Sequence, residues 1–165
     1  MEFIQSGNLP KIMRQMTSSS MSQSITDITG ASRAFNSSYS VNFVYGVTLN
    51  TTWTAATTAL PYVYASSKSD VSPSDYTIPN IVGTASVSST KRSDNRGYLL
   101  TVTITSSSDA DINSLFVTKK FTAGGGSTQS EAVIYILKLG STVHLNASNG
   151  RTATFTIDII FPDAT

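Results

Sequence analysis

The strongest constraint on this chain is a two-residue alternation of apolar and hydroxyl side chains. Ala153, Phe155, Ile157, Ile159 and Phe161 alternate with Thr152, Thr154, Thr156 and Asp158. Successive side chains of an extended strand point to opposite faces, so this segment has one oily and one wet face. Tyr98, Leu100, Val102 and Ile104 alternate in the same way with Thr101, Thr103 and Thr105, and Val41, Phe43, Tyr45, Val47 and Leu49 with Asn42, Val44, Gly46, Thr48 and Asn50. A helix would spread each set around its circumference and give no single buried stripe.

Turn chemistry punctuates these runs. Lys91-Arg-Ser-Asp-Asn-Arg-Gly97 supplies the Asp, Asn and Gly of a tight connection, so positions 84–105 are expected to form a hairpin. Ile112–Phe121 and Glu131–Leu139 flank a glycine-rich loop that starts at Ala123, which predicts a second hairpin. Leu60–Ala65 is a further short strand, with Pro61 confining it to an edge or a strand start. Tyr76–Ser88 reads as two pieces broken at Pro79 and Gly83, and Thr142–Leu145 as a short strand of its own. About seven to nine short strands of this kind stack as two antiparallel sheets, a β-sandwich of which the jelly roll is one form. Only Ser24–Phe35 carries a short helical expectation, with Ile25 and Ile28 turned inward.

The first forty residues lack this period. Phe3, Ile4, Leu9, Ile12, Met13 and Met16 are apolar without regular spacing, and a Ser/Thr-rich stretch follows from Thr17. Residues 1–39 are therefore expected to be an extended arm and linker, and residues 40–165 the sandwich. Flexible thioether side chains at Met13, Met16 and Met21 suit a segment seated in a neighbour's groove.

Composition narrows the chemistry. The chain of 165 residues carries 13% charged residues, a formal net charge of +1, no cysteine and one histidine, while Ser and Thr fill about 50 positions. Such a balance offers no field to hold a polyanion, so nucleic acid is not expected as a partner. Thiolate chemistry is excluded. No apolar run reaches signal-peptide or membrane-span length, so the expectation is a chain with no secretory address and no membrane partner.

Few constellations point to a site. Asp109, Asp111 and Asn113 have the alternate spacing that opens a calcium loop, but Ser114 and Lys120 stand where that loop needs glycine and a bidentate carboxylate, so the residues read as a turn. His144 lies between Val143 and Leu145 and points away from both, as an exposed strand histidine does; no nucleophile elbow accompanies it. Lys91, Arg92 and Arg96 form a basic hairpin tip without interleaved aromatics. The expectation is no catalytic residue, no cofactor and no bound metal. Trp53, Tyr62 and Tyr64 near strand ends are the candidates for a sugar-stacking platform.

The last fifty residues carry a likeness. Ile112-Asn-Ser-Leu-Phe116, a glycine-rich loop, Val133–Leu139, Thr142–Leu145, a polar turn and Thr154–Phe161 resemble the C-terminal strand series of small virion structural proteins of tailed bacteriophages. The resemblance covers about a third of the chain. It implies a non-enzymatic virion component, in head decoration, collar or tail, built as a homo-oligomer such as a trimer and contacting other virion proteins through sheet edges and the arm residues Phe3, Ile4, Leu9, Ile12, Met13 and Met16. The competing expectation is a carbohydrate- or receptor-binding sandwich at a fibre or spike, using Trp53, Tyr62 and Tyr64.

Overall fold

The computed structural model describes residues 1–17, 23–35, 60–94, 97–122 and 129–160. The elements are β1 (Glu2–Gln5), α1 (Asn8–Thr17), β2 (Gln23–Thr26), β3 (Ser32–Phe35), β4 (Tyr62–Ser66), β5 (Ile81–Val82), β6 (Thr84–Lys91), β7 (Gly97–Thr105), β8 (Ala110–Thr122), β9 (Gln129–Leu145) and β10 (Thr152–Ile160), with one 3-10 turn at Ala147–Asn149. Every strand pairing among the described residues is antiparallel. One sheet has five strands in the order β1-β9-β8-β4-β5, the other three in the order β10-β7-β6, and β2 and β3 form a separate ribbon. The expected all-β sandwich is what the chain forms, with five and three strands in its two layers among the described residues. The alternating segment at 41–49 lies outside the described residues.

Alternation explains the layers. Leu100, Val102 and Ile104 from β7 and Ile157 from β10 meet Val63, Ala65, Ile112, Leu115, Val117, Ala132, Ile134 and Leu137 of the larger sheet. This interior is the main core. The opposite face of the larger sheet is also covered: Phe116, Val133 and Ile136 pack with Ile78 and, more loosely, with Ile4, Ile28, Tyr64 and Val71. The segment after β4 is tied over that face by Ser114 Oγ and Asn113 Nδ2, which donate to the carbonyls of Lys68 and Ser67 at 2.8 Å each.

On the smaller sheet, the outward side chains form a grid of hydroxyls. Thr84, Thr105 and Thr152 align across the three strands, as do Ser86, Thr103 and Thr154, and Ser88, Thr101 and Thr156. Neighbouring strands stand about 4.8 Å apart, so Thr103 and Thr154 reach hydroxyl contact at 3.4 Å. The chain passes from the larger sheet to the smaller at Gly83, whose φ is 60°. A Cβ there would lie 2.3 Å from the Thr105 carbonyl oxygen, so this corner requires glycine.

Three expectations are corrected. Residues 24–35 form a hairpin and no helix: the Asp27 carboxylate accepts the Thr29 and Ala31 amides at 2.9 and 3.0 Å, and Gly30 takes a φ of 83°. Asp and Gly at these places stabilise a reversal more than a helix. The Thr142–Leu145 strand is the end of β9, whose register against β8 slips between Ile112 and Ser114. The third correction concerns the arm. Described residues 1–17 and 23–35 pack on their own domain rather than extending from it: β1 pairs with β9, and Leu9, Ile12 and Ile25 are buried in the main core.

Polar contacts explain why this segment stays. β1 covers only Tyr135–Lys138 of β9, which leaves the carbonyls of Glu131, Val133 and Ile134 on the same edge. The amides of Ile28 and Ser6 reach Glu131 and Ile134 at 2.9 and 3.1 Å, and Ser6 Oγ reaches Val133 at 2.6 Å. Asn8, fully buried, donates to the carbonyls of Thr26 and Val133 and accepts the Thr26 amide at 2.9 Å. Buried backbone groups need such partners, and the N-terminal segment supplies them.

Candidate functional site

The residues expected to act as an assembly arm separate into two groups. Leu9 and Ile12 are core side chains, and Ile4 packs on the outer cluster. Met13 and Met16 fall within α1, with side chains outside the described residues. Among the described side chains of this set only Phe3 is turned outward, 54% exposed, with its ring centroid 4.6 Å from that of Tyr135. Met1, two residues before it, is 63% exposed.

Tyr62 and Tyr64 share the outer face of β4, and the structure adds three residues that the sequence did not single out. Lys120 Nζ stands 4.6 Å from the centre of the Tyr62 ring. Thr118 Oγ1 donates to the Glu131 carboxylate, and the Tyr64 hydroxyl is bonded to that same carboxylate. Burial, and secondarily the Glu131 charge, push the Tyr64 phenol up to about 12. Tyr64 is therefore a neutral donor locked to a carboxylate, whereas Tyr62 presents an exposed ring. Trp53, the third residue of the expected platform, lies outside the described residues.

The acidic and basic candidates are not brought together around one ligand. Arg151 Nε holds Asp109 at 2.8 Å, and His144 Nδ1 meets Asp111 at 2.6 Å from the directly opposite position on β9. Asn113 is engaged with the Ser67 carbonyl and with Thr142. Three side chains that would have to converge on a cation thus engage four different residues of the protein. His144 is exposed and turned away from buried Leu145, as the alternation implied. At the β6–β7 turn, Arg92 donates to Asp94 and to Asp158 on β10, and these carboxylates hold its guanidinium firmly charged. This arginine joins the turn to β10, leaving its fork occupied. Arg96 and the glycine loop at 123–128 lie outside the described residues.

Lys119 was missed in the sequence reading, although the signal was present. Leu115, Val117 and Lys119 follow one another at period two, which places the lysine on the interior face of β8. It is 6% exposed, its Nζ faces the Leu60 carbonyl at 3.4 Å, and burial lowers its pKa to about 8.

A further open feature among the described residues is a sheet edge. The larger sheet ends in short strands, four residues in β1 and two in β5, which offer little backbone to a neighbour. In the smaller sheet β6 lies over β4 and β10 over β9, and among the described residues β10 forms an outer edge nine residues long. Its inward side chains Ala153, Phe155 and Ile159 are only partly buried, and Ile160 is 51% exposed. No family model matches this chain, and no curated protein or solved structure shows significant similarity to it.

Proposed function

We propose that this chain is a non-enzymatic structural subunit that assembles through its sheet edges, and that it serves a bacteriophage particle as a head-decoration, collar or tail-associated component. The observation that carries the reading is the unequal width of the two layers. With five described strands facing three, a single subunit leaves Phe3, Tyr135, Phe155 and Ile159 incompletely covered along one side among the described residues. Apolar surface of that kind is stabilised by association, at about 25 cal/mol for each Å² removed from water. The particle assignment rests on the resemblance of the C-terminal strand series. The low charge and hydroxyl-rich faces agree with it.

Mass photometry of the purified chain, followed by incubation with particles lacking it, tests the proposal. A defined oligomer that adds to the particles is expected. A monomer at micromolar concentration that ignores them overturns it. A second reading, a glycan-binding module, is favoured by one observation, the 44% exposure of Tyr62. Loss of glycan binding in Tyr62→Ala with an unchanged fold would establish that reading instead.

A further inference from the structure

We infer that β10 is the contact strand, and that it pairs antiparallel with β10 of a second copy, joining two three-stranded sheets into one of six. The inference rests on the assembly reading above and names the partner and register of that assembly. Three observations carry it.

The first is the lack of guards. Long edge strands are normally blunted by lysine, proline or bulges, yet 152–160 contain no lysine, arginine or proline, and β10 pairs with β7 over its whole length without a register shift. Its one charge, Asp158, is already bound to Arg92. The second is the contrast with β6, the other edge of the same sheet. In the rows that face the core, β6 contributes Ala85, Val87 and Ser89 where β10 contributes Ala153, Phe155 and Ile157. The largest half-covered side chains, Phe155 and Ile159, are on the β10 side, where β6 has only Val87, and a further strand there would complete their burial.

The third is self-complementarity. A two-fold axis at Thr156 uses all nine residues: Thr154 then faces Asp158 of the second copy, Thr152 faces Ile160, and Phe155 faces Ile157. A centre at Asp158 would instead set two carboxylates directly opposite, which is destabilising in a sheet. Such symmetric use of one patch is the usual geometry of a homodimeric contact.

The absence of native cysteine makes the test direct. Residues directly opposite in an antiparallel pair lie within disulfide reach, so Thr156→Cys meets its own mate at the proposed axis. Ser88→Cys, in the same row on the β6 edge, is the control. Mild oxidation is expected to convert most of Thr156→Cys, and little of Ser88→Cys, into a linked dimer. Thr156→Lys, which sets two ammonium groups face to face, is expected to lower the oligomer mass while the circular dichroism spectrum is retained.

Equal linking of both cysteine variants, or linking of Ser88→Cys alone, overturns the inference. An oligomer whose Thr156→Cys form does not link overturns the β10 contact while leaving assembly intact. A monomer whose 152–160 amides are all protected from exchange has this edge occupied within its own chain, and it overturns both.

Discussion

Replacing Asn8 by alanine tests whether the N-terminal segment belongs to the domain or merely rests on it. Asn8 makes three hydrogen bonds, two with the Thr26 backbone and one, at 3.3 Å, with the Val133 carbonyl. In Asn8→Ala the Val133 oxygen still accepts from Ser6 Oγ, but the amide and carbonyl of Thr26 both lose a partner. An unsatisfied buried group costs about 1–3 kcal/mol, and Thr26 is only partly buried, so the low end applies to each and the total is about 2–3 kcal/mol. With a urea m-value of about 2 kcal/mol/M, the unfolding midpoint should fall by about 1–1.5 M. Ser6→Ala alone should cost about 1 kcal/mol, because Asn8 still reaches the same carbonyl. The double variant removes both donors to Val133 and should lose about 1 kcal/mol more than the sum of the singles. A midpoint shift for Asn8→Ala below about 0.3 M, or strict additivity in the cycle, would refute the argument and restore the view of a loosely attached arm.

Four further outcomes follow from the same contacts. For Asp27, burial pushes the pKa upward, but hydrogen bonds from Thr29, Arg33 and Ala31 prevail and hold it below 3.8. Its stabilisation is therefore complete above that value and is lost as pH falls through the lower folded one, so Asp27→Asn should flatten the acid limb of a Tm-against-pH curve. Lys119 has the opposite sign: between its folded pKa of about 8 and the ordinary 10.5 the unfolded chain binds more protons, so stability should rise with pH across that window. Lys119→Met should raise Tm at pH 7 and remove the rise. Gly97→Ala would place a Cβ 1.9 Å from the Ile159 carbonyl oxygen and should cost at least about 2 kcal/mol by urea unfolding, whereas Gly140→Ala, with its nearest atom at 3.8 Å, should be close to neutral. Leu100→Ala, at a fully buried position, should cost about 2–5 kcal/mol in the same assay.

The period-two signal was legible wherever a strand has one wet face. β7 and β10 follow their alternation residue for residue, and both expected hairpins formed. It was weaker where tertiary contacts decide. Phe3 and Ile12 look alike in sequence, yet one is exposed and the other buried, because the difference depends on where β1 meets β9. The hairpin at 23–35 was misread because Ile25 and Ile28 suit a helical face as well as a strand and its turn. What settles the matter is Asp27, whose side chain organises the reversal. That Tyr62 and Tyr64 share one strand face was legible, but Lys120 reaches Tyr62 through the β4–β8 register and Glu131 reaches Tyr64 through the β8–β9 register as well, which a linear reading does not contain.

The hydroxyl grid on the smaller sheet has a consequence for crowding. When many identical subunits are gathered on one scaffold, any charge on their outer faces is multiplied by the copy number, and each new arrival is repelled by those already seated. Beside its one Arg92–Asp158 pair, a face of serine and threonine holds its hydration without protons to lose or counterions to recruit. On the proposed assembly, successive copies would then meet little rising electrostatic barrier, and occupancy of the scaffold should depend only weakly on ionic strength.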